Sequence, residues 1–211
     1  MAAVGVAVGA AATGLGVLTK QAVSAYSAYE QLTGGVDTLF DKAYDQVMQY
    51  ANNAYKTAGL SANAYMDTVT SFSASLIASL DRDTAAAAEK ADMAITDMSD
   101  NANKMGTSME SIQNAYQGFA KQNYTMLDNL KLGYGGTKEE MERLLARAEE
   151  ITHIHYDISS FADITDAIHV IQKDLGITGT TAIEAKKTIE GSINMTKAAW
   201  ESRDSHIRTR N

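Results

Sequence analysis

Nucleophilic catalysis needs a nucleophile, a base and a group that orients the base. Serine and threonine are plentiful in this chain, but it has only four histidines and none sits in a recognisable motif. No G-x-S-x-G elbow is present. His153-Ile154-His155 puts two imidazoles on one side of an extended segment, with His169 as a distant third. Two ligands do not close a tetrahedral zinc site, and no acidic or thiolate partner has a convincing spacing. Cysteine is absent, which removes disulfides, thiolate zinc sites and thiol nucleophiles.

Two further segments invite a ligand. Gly133-Tyr134-Gly135-Gly136-Thr137-Lys138 precedes a helical pattern, and helix N-termini attract phosphate. It lacks the P-loop spacing and no strand precedes it, so a flexible, capped turn is the expectation. Asp81-Arg-Asp83 and the stretch Asp97 to Asp100 lack the glycine and closing glutamate of a calcium loop. They are read as helix caps and exposed helix face. The ten methionines fall on or beside apolar stripes, where adaptable core filler is the expected role. The expectation is therefore a protein with no catalytic, cofactor or metal residues, and not an enzyme.

The elements that would position these residues are helical. Proline is absent from all 211 residues, so the strongest helix breaker is missing and glycine must punctuate the chain. Alanine is abundant, which favours helix over sheet. Phe40, Ala43, Val47, Ala51, Ala54 and Ala58 form one stripe ending at Gly59. Ser61 caps a helix carrying Tyr65, Val69, Phe72, Leu76 and Leu80. Asp83 caps the next, with Ala87, Ala91, Ala94, Met98, Ala102 and Met105 on one face before Gly106. Thr107 with Glu110, Thr137 with Glu140 and Thr181 with Glu184 all have capping-box spacing. Ser160 caps the stripe of Phe161, Ile164, Ile168, Ile171 and Leu175, which stops at Gly176. Trp200 anchors a last helix. Short linkers predict antiparallel neighbours, giving an all-α, multi-helix bundle.

The ends differ from the middle. Ala2 to Leu18 is uncharged and built almost wholly of Ala, Val, Gly and Leu. As a helix it would reach roughly 25 Å, a little short of a ~30 Å hydrocarbon core. Nothing basic precedes it, so it lacks the basic n-region expected of a secretory signal, and Gly5 to Gly9 has the small-xxx-small spacing of close helix contacts. The expected organisation is an apolar Gly/Ala-rich helical arm over 1–33, a hinge at Gly34-Gly35, a helical domain over 36–200 and a divergent tail over 201–211. Lys186, Lys187, Lys197, Arg203, Arg208 and Arg210 make the C-terminal end locally basic, most simply as solvated helix surface. The net charge of -8 argues against a nucleic-acid clamp, and no specific nucleic-acid binding is expected.

Several strings resemble a known family. Tyr29-Glu-Gln-Leu-Thr-Gly-Gly-Val-Asp-Thr-Leu-Phe40 resembles the motif that follows the apolar segment in tail tape-measure proteins of long-tailed phages and prophages. So do the strings Ala58 to Tyr65, Ala91 to Gly106 and Ile112 to Thr137, and the likeness continues through Ile171 and the turn Gly176-Ile-Thr-Gly-Thr-Thr-Ala182. It covers residues 20 to 200. The resemblance implies a structural virion protein of the tail-tube lumen, present in the host cytoplasm during assembly. Its implied partners are the tail tube protein and tail-assembly chaperones, with self-association and a host-membrane contact through residues 2–18. It implies roles in tail length determination and in DNA ejection across the host membrane.

Two features depart from that family. A ruler of this length would span roughly 300 Å as one helix, and its relatives are several times longer. The end, Glu201 to Asn211, does not continue the pattern, which suggests a fragment or a degenerate prophage copy. The alternative is a free-standing membrane-active or tail-partner-binding helical module.

Overall fold

The computed structural model describes residues 27–188. The apolar stretch 2–18, the tail 201–211 and Trp200 lie outside the described residues.

Helix α1 covers 27–40, followed by a short 3-10 turn, Asp41–Ala43. Then come α2 (Tyr44–Thr57), α3 (Ala62–Ser79), α4 (Thr84–Met105) and α5 (Met109–Phe119). A 3-10 turn, Leu127–Leu130, leads to α6 (Lys138–Thr152) and α7 (Phe161–Asp174). The last described helix, α8, covers 180–188. Among the described residues there is no strand, and no helix is long and apolar enough to cross a membrane. The all-α expectation holds for this part of the chain.

Helix α4 is the hub, packing on α2, α3, α5 and α7. Its apolar face is mostly alanine: Ala87, Ala88, Ala91 and Ala94 are completely buried. Small side chains bring neighbouring backbones close, and the larger Ile95 and Met98 fill the far end. Residues joined by the short turns 58–61, 80–83 and 106–108 pack pairwise, α2 on α3, α3 on α4 and α4 on α5.

Most stripe residues are core. Val47, Ala51, Ala54, Tyr65, Val69, Phe72, Leu76, Ile112, Tyr116, Met141, Leu144 and Ile168 are all buried. Leu80, Ala102 and Met105 are half-buried, and Leu175 is exposed, at 50%. The α7 helix closes there in a Schellman turn: Gly176 (φ +65°) donates to the Lys173 carbonyl and Ile177 to that of Gln172. The reversal carries Ile177 into the core, where it is 1% exposed.

Caps were the more legible feature. Ser61, Asp83, Thr137 and Ser160 each accept a bond from a backbone N–H of the first turn, as their spacing predicts. One cap is displaced: Ser108 and not Thr107 starts α5, accepting from the Ser111 N–H. Glu140 completes its box by an adjacent route, taking the Gly135 N–H at 2.9 Å.

The hinge at Gly34-Gly35 is not observed. Helix α1 runs straight through the pair, because completely buried Val36 and Phe40 fix its C-terminal half in the core. A Cβ on Gly35 would stand 3.6 Å from Thr70 Cγ2, in ordinary contact, so α1 lies against α3 at this point. Packing overrides the weak helix propensity of glycine. The chain turns later, at Asp41, which adopts φ +46°.

Candidate functional site

The buried carboxylates of the described residues, Asp97 and Asp100, both lie on α4. Ala86, Glu89, Lys90 and Met93 recur at helical spacing on one face and, with Asp92, line a cleft of about 550 Å³. Tyr50 of α2 and His169 of α7 close its other sides. Three long-range contacts surround it. Lys90 Nζ lies 2.6 Å from the Asp166 carboxylate. Tyr65 donates its hydroxyl to Asp92 at 2.9 Å. His169 Nδ1 lies 3.0 and 2.9 Å from the two carboxylate oxygens of Asp97.

The surroundings move these groups off their ordinary pKa values. The hydrogen bond to Asp97 raises His169, and the Asp97 charge adds to it, while partial burial pulls the other way. Asp97 is itself pushed up by burial, with the His169 contact opposing. Asp92 is raised by burial against the lowering effect of the Tyr65 hydrogen bond, and burial pushes the Tyr65 phenol far up. Tyr116, completely buried, is raised by desolvation and then by the nearby Asp97 charge.

An aspartate holding one imidazole nitrogen is half of a catalytic arrangement; a nucleophile must face the other half. The side chains lining this cleft are Tyr50, Ala86, Glu89, Lys90, Asp92, Met93 and His169, with no serine, threonine or cysteine. What the contacts do is tie α7 to α4 across 72 residues of sequence.

The three histidines weighed as metal ligands are dispersed. His153 is the left-handed C-cap of α6 (φ +59°). His155 is 80% exposed and meets Glu149 at 3.1 Å, while His169 belongs to the α4–α7 cleft. Among the described residues no three His, Cys, Asp or Glu side chains are placed to hold a metal ion.

The glycine loop before α6 is closed on itself. Glu140 occupies the Gly135 N–H, and Arg143 bonds both the Gly133 carbonyl and Glu140. The Arg143 guanidinium also lies 4.3 Å over the Tyr134 ring. A Cβ on Gly136 would fall 2.2 Å from the Thr125 carbonyl oxygen, so glycine is required there for backbone approach. The acidic side chain at this helix start does what a phosphate would do elsewhere.

Asp97 and Asp100 correct the reading of exposed helix face. They are 1% and 0% exposed. Asp100 Oδ2 accepts from the Gly179 N–H at 2.6 Å and Oδ1 from the Thr181 N–H at 2.8 Å. It therefore caps α8 from another helix. Thr181 and Glu184 do not form the expected capping box: Glu184 instead accepts from Asn103 Nδ2 at 2.9 Å. Beside this cap, Ala58, Leu60, Ala102, Met109 and Ala185 line a shallow groove of about 470 Å³.

The sequence carried one signal for these buried acids. Asp97 and Asn101 stand three and seven residues after Ala94, in phase with the buried stripe of α4. A polar residue in phase with an apolar stripe must find partners inside. Compared with protein-family models, with curated proteins and with solved structures, the chain gave no match to any of them.

Proposed function

We propose that this chain is a structural helical part of a phage tail tape-measure protein, working through contacts with tail tube, assembly chaperones and membrane. The observation that carries the reading is the set of sequence strings from Tyr29 to Ala182 that resemble that family. It rests on those strings alone, and the fold accommodates them. Tyr29 to Phe40 coincides with most of α1, Ala91 to Gly106 with the hub helix, and Gly176 to Ala182 with the turn that Asp100 caps. An all-helical body tied by inter-helix contacts suits a protein that acts by occupying space and binding partners.

The test is made on particles from the source strain after prophage induction. The chain is expected in purified tails, resisting added protease while tails are intact and being cleaved once they are opened with guanidinium. Its absence from tails that contain the tube protein would remove the reading.

The second reading, a membrane-active module, is favoured by the uncharged run Ala2 to Leu18. Apolar surface of that extent in a Gly-rich segment needs a cover, either lipid or a second copy of the chain. The full chain is expected to float with liposomes or self-associate, with little dependence on salt because the run carries no basic residue. A chain starting at Tyr26 is expected to stay unbound. Equal flotation of the two would show that residues 2–18 are not the membrane contact. A monomeric full chain that does not float would discard the membrane reading.

A further inference from the structure

Four polar ties join the C-terminal helices to the hub. Lys90 meets Asp166, His169 meets Asp97, Asp100 caps the turn into α8, and Asn103 donates to Glu184. The second contains an imidazole, whose charge changes within the pH range of living systems. We propose that the His169–Asp97 contact is a pH-operated clasp: protonated, it holds α7 and the turn into α8 against α4, and deprotonated it lets them loosen. The inference is independent of the tail reading.

The geometry supplies both requirements of a switch. Asp97 is 1% exposed, so its anion depends on protein partners for the stabilisation that water would give. His169 keeps 29% of its side chain exposed, along the cleft, so its ring exchanges protons with solvent without unfolding. The charged and titratable groups around the pair come from α7, α4, α2 and α5. On α7, Asp166 favours the imidazolium and Lys173 opposes it. On α4 stand Glu89, Lys90 and Asp92 in the cleft, and Asp100 one turn beyond Asp97. Tyr50 of α2 lines the cleft, and buried Tyr116 of α5 feels the Asp97 charge.

A neutral imidazole still donates a hydrogen bond to Asp97 but no longer offsets its charge, while Asp100 continues to repel it. The raised His169 value fixes the direction. A group raised on folding stabilises the fold fully below its ordinary value of 6.5 and loses that contribution as pH rises through the folded value. The clasp therefore opens towards alkaline pH. The segments freed are α7 and the capped turn at 179–181.

The experiment uses the full chain, with histidine NMR titration from acid to alkaline pH and hydrogen exchange normalised to intrinsic rates. His169 is expected to titrate above the ordinary histidine value. Protection of peptides from 161–188 should fall through that same range while peptides from α2 hold, about tenfold for each unit of elevation. Asp97→Asn should bring the titration down and flatten the protection profile. If that variant does not fold, His169→Gln provides the comparison, since it keeps a donor but cannot titrate and should show a flat profile. A His169 titration at or below the ordinary value would overturn the clasp. So would a decline shared equally by α2, or one that persists in His169→Gln.

Discussion

Phe72→Asp should cost most of the stability of this bundle and Lys138→Ala almost none. Phe72 is 3% exposed in the middle of α3, and its ring meets Phe161 of α7 edge-on at 6.1 Å between centroids. It thus joins two helices that are far apart in sequence. Removing a buried phenylalanine costs about 3–5 kcal/mol before any charge is considered. The edge-on ring pair adds roughly 0.5–1.5 kcal/mol. An aspartate at the same place either leaves an unpaired charge in apolar surroundings or binds a proton to avoid it, and both add to the loss. Against a typical total of about 5–15 kcal/mol, the variant should be marginal or unfolded in water. Lys138 stands in the exposed first turn of α6, 3.3 Å from Glu142. Exposed pairs of that kind contribute little, so its replacement should stay within about 0.5 kcal/mol. Urea melts of the two variants decide the matter, and equal midpoints would mean that the buried face of α3 has been misassigned.

What could be read from the sequence was what depends on near neighbours. Ser61, Asp83, Thr137 and Ser160 cap the helices that follow them because a side-chain oxygen and the first-turn N–H groups are only two or three residues apart. The stripes were legible for the same reason, since a helix brings its third and fourth neighbours to one face. Leu175 shows the limit of that argument. Its spacing continues the α7 stripe, but a stripe predicts burial only while the helix lasts, and the Schellman turn at Gly176 ends it. The Gly34-Gly35 pair shows the other limit. Glycine weakens a helix locally, but whether it breaks depends on what the flanks bury; here Val36 and Phe40 are buried on the C-terminal side, and Tyr29 and Leu32 pack against the core on the other.

The acidic residues of α4 were illegible for a reason of distance. Asp97 finds its partner 72 residues away and Asp100 its donors at a similar separation, so no local spacing could announce either. The histidines show the reverse case. His153 and His155 are two residues apart in sequence, but a left-handed residue at the end of α6 places the first as a helix cap and leaves the second in solvent beside Glu149. Proximity along the chain suggested a site that the turn does not build. The useful clue was phase: Asp97 and Asn101 fall on the apolar period of an alanine-rich helix, where an exposed role is not available to them.

Asp100→Ala should show how much of the C-terminal region hangs on that single carboxylate. The side chain is completely buried and receives the Gly179 and Thr181 N–H groups at 2.6 and 2.8 Å. The Thr180 hydroxyl, at 3.4 Å, contributes little at that length. Hydrogen bonds to a charged acceptor contribute about 1.5–3 kcal/mol each, and donors left buried without a partner cost a further amount. Some of that loss is recovered because the α8 turn lies near the end of the described bundle and can open to water. The expected net cost is about 3 kcal/mol, concentrated locally. Exchange should therefore speed most in 177–188, with α2 and α3 changing only by the smaller global loss. Asp100→Asn keeps one carbonyl acceptor but replaces the other with a donor facing an N–H, so it should recover less than half of the difference. Ser61→Ala supplies the scale, because a local, exposed cap costs about 1 kcal/mol when removed. If Asp100→Ala proves no worse than Ser61→Ala, and exchange in 177–188 is unchanged, α8 is held by its side-chain contacts and the buried cap is not what docks it.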